Sequence, residues 1–179
     1  FKNLVVWNRG VDTELFNPNK RDINSKDTQL TYVGRVAIEK NIEEFLKLKG
    51  NYNKIVVGDG PELEKYINKY PEVNFVGVKT GEELAKYYAN ADVFVFPSKT
   101  DTLGNVILEA LASGTPVAAY PVTGPIDVLT DEKINTLDND LLQSIKKALK
   151  VKRVDCRNFT LNLTWDKCVK EFLEYMVNV

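Results

Sequence analysis

The feature that most constrains this chain is an alternation of short apolar runs with amphipathic segments, which begins near residue 28. The first apolar run, residues 30–36, is followed by Ile42, Phe45 and Leu46 at helical spacing, and the same rhythm repeats to the end of the sequence. Unbroken apolar strands that alternate with helices favour a parallel sheet covered on both faces. The sequence therefore predicts an α/β fold with a doubly wound, Rossmann-like parallel sheet of five or six strands.

The same pattern divides the chain into three parts. Residues 1–28 are mixed in character, and we expect this opening segment to pack on the domain. Residues 29–164 contain the alternating elements and form the α/β domain, and residues 165–179 form a C-terminal helix. Because the sequence starts at Phe1, within residues that read as structured, we expect it to be a piece of a longer protein.

Individual elements follow from the apolar runs and from helical periodicity. Strands are predicted at residues 3–7, 30–36, 54–57, 73–76, 93–96 and 115–119. Helices are predicted after Glu39, after Pro61, around Leu84, from Gly104, and over residues 138–149 and 165–177. In sheets of this kind ligands bind beyond the carboxyl ends of the strands, so the residues that follow each strand are the candidates for function.

Composition argues against several classes of function. The chain has 179 residues, which suits one domain, and its formal net charge of −1 gives no general attraction to nucleic acid or to anionic membranes. No apolar run approaches the ~20 residues needed to span a bilayer, so we expect a cytoplasmic protein with Cys156 and Cys168 as reduced thiols. The sequence contains no histidine, and we expect neither a metal nor another cofactor.

A glycine pair follows the strand at residues 54–57. Gly58-Asp-Gly60 invites a dinucleotide-binding interpretation, but Pro61 and Glu62 come next and no third glycine follows. We therefore favour a tight turn from strand to helix, in which the glycines let the backbone approach a ligand closely.

Two cations follow the first strand of the repeat. Arg35 comes directly after it, and Lys40 lies at the predicted start of the next helix, so both are placed at the ligand edge of the sheet. An Arg fork, a Lys charge and a helix N-terminus all suit phosphate. Taken alone, each cation is better explained as a solvated surface side chain.

A third cluster follows the strand at residues 93–96. Asp101 lies in a loop, Gly104 begins a helix, and Asn105 and Glu109 share one helix face. Because helical side chains lean toward the N-terminus, the Glu109 carboxylate is expected to face the same pocket as Asp101. Carboxylates and free amides together suit a molecule with hydroxyls and phosphates. The alternative is that Asp101 or Thr102 caps the helix and that Glu109 is ordinary polar surface.

These motifs together resemble the C-terminal domain of retaining GT-B glycosyltransferases of family 4. The resemblance covers nearly the whole chain, and its ordered spacing makes it specific. Residues 121–128 resemble bacterial members that act on envelope glycans or lipids. Asp101 stands where that family's Glu-x7-Glu motif has its first Glu, which shortens the side chain by one methylene. The matching segments are residues 9–16, 34–40, 57–61, 73–84, 101–109, 112–117 and 165–172.

The resemblance implies a role for each motif. Arg35 and Lys40 would bind the donor diphosphate, Glu109 the ribose hydroxyls and Asp101 the donor sugar, while residues 76–79 would meet the base. The residues expected to contact the donor are Arg35, Lys40, Gly58, Val76, Lys79, Asp101, Gly104, Asn105, Val106 and Glu109. Of these, Asp101, Arg35 and Lys40 are expected to take part in catalysis.

The function implied is transfer of a sugar, with retention, from a nucleotide-diphosphate sugar to an envelope glycan or lipid. The partners implied are the donor and a separate N-terminal acceptor domain, through which any contact with the inner membrane would be made. Without that domain the chain is expected to be inactive. Two alternatives stay open: a stand-alone nucleotide-sugar-binding subunit that needs a partner chain, and a GT-B nucleotide-sugar epimerase.

Overall fold

The computed structural model describes residues 9–22, 27–101 and 104–177, so the strand predicted at residues 3–7 lies outside them. One sheet occupies the centre, with every strand parallel to its neighbours. Its strands are Thr28–Val33 (β1), Tyr52–Val57 (β2), Asn74–Phe75 (β3), Val93–Phe96 (β4) and Val117–Ala119 (β5). Their order is β3-β2-β1-β4-β5, and β1 and β2 pair along their full length. The predicted doubly wound parallel sheet is confirmed.

Helices cover both faces of the sheet. They are Ile42–Leu46 (α1), Leu63–Lys69 (α2), Gly81–Asn90 (α3), Asn105–Ala112 (α4), Thr123–Val128 (α5), Leu141–Ala148 (α6), Arg153–Thr160 (α7) and Trp165–Val177 (α8). Successive side chains of β4 point to opposite faces: Phe94 packs with α3 and α4, whereas Val93 and Val95 pack with α1 and α6. Each such buried side chain contributes roughly 1.5–3 kcal/mol, and the two cores sandwich the sheet.

Several predicted boundaries were wrong. The strand predicted at residues 30–36 ends at Val33, because Gly34 leaves the extended conformation with a φ of 152°. Val36 is nevertheless fully buried in the following loop, which is why it extended the apolar run. Pro61 does not open α2; it lies in a turn two residues before the helix begins. The strand predicted at residues 115–119 is shorter and begins at Val117.

Two helices were missed. The α5 sequence Thr-Gly-Pro-Ile-Asp-Val contains two residues that normally interrupt helices, so nothing in it predicted one. The α7 helix has a polar sequence, in which Cys156 and Thr160 are the buried residues. Its place is fixed by Arg157, which donates hydrogen bonds to the carbonyls of Phe16, at 2.8 Å, and Ala112, at 2.9 Å. Sequence periodicity cannot detect a helix that is anchored through its polar side chains.

Two arginines lie at the amino edge of the sheet, where β4 and β5 begin. Arg153 donates to the carbonyls of Ala89 and Ala91 at 2.7 and 2.8 Å. Arg21 donates to the Ala91 carbonyl at 3.0 Å and pairs with Asp92 at 2.6 Å. Burial lowers the pKa of Arg153 to about 10, so it remains charged at neutral pH. These arginines satisfy carbonyls at the end of α3 that have no partner within the helix.

The first and last described segments are in contact. Val11 forms a bridge with Thr164, and Phe16 is buried edge-on against the Tyr88 ring with centroids 5.7 Å apart.

Cys168 on α8 is buried, but the same helix exposes five large apolar side chains and a tyrosine. Those side chains are Trp165, Val169, Phe172, Leu173, Tyr175 and Met176. None of the helices in the described part of the chain is long and apolar enough to cross a membrane.

Candidate functional site

A cavity of 520 Å³ opens at the carboxyl edge of the sheet, between the ends of β1 and β4. Most of the residues singled out from the sequence line it. The lining residues are Arg9, Tyr32, Val33, Gly34, Arg35, Glu39, Lys40, Phe96, Ser98, Asp101, Gly104, Asn105 and Val106. Its place beyond the strand ends is where parallel α/β sheets bind ligands.

The loop after β1 brings Arg35 and Lys40 to this cavity. The Tyr32 hydroxyl donates to the Arg35 carbonyl at 2.7 Å, which fixes the loop against the strand that precedes it. Lys40 ends a short 3-10 helix, Ile38–Lys40, and Asn41 follows in the left-handed conformation. The prediction that Lys40 lies at the start of an α-helix was therefore wrong by two residues, since α1 begins only at Ile42.

The two cations differ in how tightly they are paired. Arg35 contacts Glu39 at 3.3 Å, and both side chains are more than half exposed. Lys40 contacts Asp101 at 2.5 Å, with side-chain exposures of 29% and 21%. Among the described lining residues, three cations (these two and Arg9) accompany two carboxylates. The cavity therefore has a small positive excess, as an anion-binding site requires.

The amino end of α4 forms the wall beside Asp101. Gly104 precedes the helix, and Asn105 and Val106 occupy its first turn, where backbone N–H groups lack partners within the helix. The guanidinium of Arg9 donates to Asn105 at 3.3 Å, which brings the opening segment to the site. Thr102 lies outside the described residues, so the alternative that it caps the helix is not addressed.

A second cavity, of 290 Å³, continues the first along the ends of β1 and β2, with Gly34 and Arg35 lining both. Gly58 and Lys79 line it, as do Asp59 and Val78. A Cβ atom at Gly58 would lie 2.0 Å from the Gly34 carbonyl oxygen, so only glycine allows these two loops to meet. The backbone that Gly58 approaches closely is thus that of Gly34, in the loop after β1.

Glu109 is placed differently from Asp101. Its carboxylate accepts a hydrogen bond from the Tyr88 hydroxyl at 2.9 Å, and Glu109 is not among the residues that line either cavity. Burial raises the pKa of Glu109, and the Tyr88 hydrogen bond partly opposes that rise. The structure therefore places this carboxylate one helical turn behind Asn105, between α3 and α4.

Of the residues predicted to contact the donor, eight line one cavity or the other. Val76 instead packs against the core, and Glu109 is partly buried beside Tyr88 and lines neither cavity. Sequence reasoning missed Arg9 and Tyr88 as members of the site. Arg9 lies far from the cavity residues in the sequence, and Tyr88 reads as an ordinary member of an apolar helix stripe.

The Asp-x-Asp pair of the sequence, Asp138 and Asp140, lines neither cavity, although the Asp138 N–H donates to the Ala119 carbonyl at the carboxyl end of β5. Asp140 caps the first turn of α6, and Asp138 pairs with Lys147 at 2.9 Å. Within the three described ranges, no group of three His, Cys, Asp or Glu side chains is arranged to bind a metal ion. That the function needs no metal stays a prediction.

Comparison with known proteins decides the family. The family model described as glycosyl transferases group 1 matches residues 14–158, which is most of the chain and includes both cavities apart from Arg9. The chain belongs to the group 1 glycosyl transferases. The part of the resemblance that concerns this family and its GT-B fold is therefore confirmed.

Curated relatives of this group 1 glycosyl transferase differ in the sugar that their names specify. It is 38% identical over 148 residues to sulfoquinovosyl transferase SQD2 of Arabidopsis thaliana, covering 73% of this chain and 28% of that protein. The chain is also 37% identical over 150 residues to a GDP-mannose-dependent alpha-mannosyltransferase of Corynebacterium glutamicum, and this match covers 78% of the chain and 36% of that protein. The chain thus spans about a third of the length of these relatives.

Solved GT-B structures match this group 1 glycosyl transferase over nearly all of its length. Sucrose-phosphate synthase from Thermosynechococcus elongatus aligns with a TM-score of 0.78 and 26% identity, covering 95% of this chain and 51% of that one. Anabaena HepE, solved in complex with UDP and glucose, aligns with a TM-score of 0.74 and 18% identity. The alignment covers 95% of this chain and 55% of HepE. At that identity the second likeness shows the fold alone.

Proposed function

We propose that this chain is the donor-binding part of a retaining, family 4 glycosyltransferase of the bacterial type, which moves a sugar from a nucleotide-diphosphate sugar to an envelope glycan or lipid. The observation on which this rests is the joined pair of cavities at the carboxyl edge of the sheet. Arg35 and Lys40, a carboxylate and the amino end of α4 converge there. Phosphates, sugar hydroxyls and a base could each find a matching surface in it.

The donor diphosphate is assigned to the two cations and the first turn of α4. Within the described ranges Arg35 pairs with Glu39 alone, at 3.3 Å, so its guanidinium can turn to phosphate at little cost. Lys40 is paired with Asp101, and an arriving phosphate would share its ammonium group. Backbone N–H groups of Asn105 and Val106 add donors and the partial positive charge of the helix.

The other donor parts are assigned by position. Asp101 borders the diphosphate position, and we assign it the donor sugar. Glu109 lies one turn further along α4, and we assign it the ribose. Gly58 and Lys79 line the second cavity, where we place the base. Val76 packs in the core, so its contribution to donor binding would come through its backbone.

Catalysis in this proposal comes from stabilising the leaving group. When the bond between the sugar and the diphosphate breaks, negative charge grows on the phosphate oxygens. Lys40, held by Asp101, and the N–H groups of α4 are preorganised donors for that charge, and Arg35 turns toward it; preorganised donors usually lower the activation barrier more than any other single effect. We propose that these groups stabilise the leaving diphosphate without a metal ion.

We keep the three-part organisation as a proposal: an opening segment of residues 1–28, a donor domain of residues 29–164 and a final helix of residues 165–179. Acceptor binding is assigned to an N-terminal domain of the full protein, which we place in the cytoplasm, with any membrane contact made through that domain. The apolar face of α8 would pack partly on it. This chain alone would then bind donor without transferring sugar to acceptors in a lysate.

A thermal-shift screen tests the proposal. The chain is heated with UDP, GDP, ADP or their sugar conjugates. A diphosphate at a hundredfold excess over its Kd should stabilise the fold by ~2.7 kcal/mol, or about 5–10 °C in a chain of this size. Asp101→Asn should keep the shift with the diphosphate and reduce the extra shift given by the sugar conjugate. No shift with any diphosphate would contradict the proposal.

A further inference from the structure

Tyr88 is a buried side chain that lines neither cavity but contacts Glu109, one of the residues proposed to bind the donor. It belongs to α3 and is fully buried. Its ring packs edge-on against Phe16, at 5.7 Å between centroids, and against Phe94, at 5.5 Å. Its carbonyl accepts a 2.6 Å hydrogen bond from the Thr115 hydroxyl. Both ring and backbone are therefore held in place, and the hydroxyl has one fixed direction.

That hydroxyl is directed at Glu109. The two oxygens are 2.9 Å apart, and a buried tyrosine hydroxyl needs such a partner. If the carboxylate turned away from α3, it would leave the hydroxyl unpaired in the core, which is costly. Tyr88 thus restricts where the carboxylate can lie, although the two residues are 21 positions apart in the chain.

We propose that Tyr88 is a positioning residue for the donor: its hydroxyl fixes one oxygen of the Glu109 carboxylate and leaves the other to accept a hydrogen bond from the ribose. This inference rests on the proposed function, because it takes the ligand of Glu109 to be a nucleotide. A carboxylate fixed before the ligand arrives loses less freedom on binding, so the tyrosine should increase affinity without touching the ligand.

The test is a double-mutant cycle measured by calorimetry. The probe is whichever of UDP, GDP and ADP binds the wild-type chain most tightly, together with its 2′-deoxy form. Tyr88→Phe removes one oxygen and keeps the ring contacts. It should weaken binding of the diphosphate about three- to tenfold and that of the 2′-deoxy form less than twofold. In a Glu109→Gln background the same substitution should change neither value by more than twofold.

Tyr70→Phe provides a matched control. Tyr70 also donates a 2.9 Å hydrogen bond to a glutamate, Glu43, but on α1, outside both cavities. It should leave both affinities within twofold of wild type. Phe16→Leu loosens the packing on the Tyr88 ring without removing the hydroxyl, and it should reduce the preference for the ribose form in the same direction.

The possible outcomes separate the two proposals. Equal affinity of wild type and Tyr88→Phe for the diphosphate would overturn the positioning role and leave the proposed function standing. Equal weakening of both probes by Tyr88→Phe, repeated in the Glu109→Gln background, would show a packing role only and would also overturn it. If the wild-type chain binds no diphosphate, the proposed function fails and this inference fails with it.

Discussion

The two edges of the sheet both contain cationic side chains, but they differ in how completely those cations are paired. At the amino edge, Arg153 makes four hydrogen bonds, to three carbonyls and the Thr115 hydroxyl, and Arg21 pairs with Asp92. At the carboxyl edge, Arg35 is 63% exposed, and its one ion pair with a described residue is the 3.3 Å contact with Glu39. Arginine is present at both edges, and what differs is how many hydrogen-bond partners surround each guanidinium.

The difference follows from what each edge has to bind. The carbonyls at the ends of α3 and α4 are permanent acceptors, and the amino-edge arginines satisfy them as part of folding. At the carboxyl edge Lys40 has one carboxylate partner, Asp101, and Arg35 is mostly exposed beside Glu39, so both cations can still bind an external anion. We infer that substitutions at the amino edge act on stability, whereas substitutions at the carboxyl edge act on binding.

The largest effect is expected for Arg153→Ala. It removes four hydrogen bonds, leaves the Ser113 carbonyl without its arginine donor and leaves the Ala89 and Ala91 carbonyls with Arg21 alone, which should lower the free energy of unfolding by about 3 kcal/mol. Chemical denaturation measures the loss directly. Arg35→Ala is the matched control and should stay within about 0.5 kcal/mol of wild type. Similar losses in the two variants would remove the distinction between the edges.

A smaller effect, on binding alone, is expected at the carboxyl edge. Lys40→Ala and Arg35→Ala should each weaken binding of a nucleoside diphosphate about ten- to hundredfold, because a hydrogen bond to a charged group contributes roughly 1.5–3 kcal/mol. Lys147→Ala, which breaks an ion pair with Asp138 outside both cavities, should have no effect on affinity. Normal binding by both site variants would mean that the cations are ordinary surface groups.

Much of the fold could be predicted from the sequence because most strands and helices follow from local apolar runs and helical periodicity. The strand at residues 93–96 and the helix at residues 165–177 have the predicted bounds. The α5 and α7 helices were missed because the contacts that stabilise them lie elsewhere in the chain. Arg157, for example, joins α7 to the opening segment through the carbonyls of Thr13 and Phe16.

The candidate site likewise contains some features that the sequence predicts and others that depend on tertiary packing. Arg35, Lys40 and Asp101 each follow a strand end, and the rule that parallel strands present their carboxyl ends at one edge was enough to bring them together. The direct pairing of Lys40 with Asp101 and the contact of Glu109 with Tyr88 depend on how loops and helices pack, so one sequence could not predict them.

The central claim is that the carboxyl edge binds a diphosphate through its cations. Titration calorimetry of the wild-type chain, with EDTA present, compares a nucleoside diphosphate with the nucleoside of the same base. The account predicts that the diphosphate binds at least about ten times more tightly, since two cations and the amino end of α4 act on the phosphates alone. Equal affinity for the two ligands would contradict it.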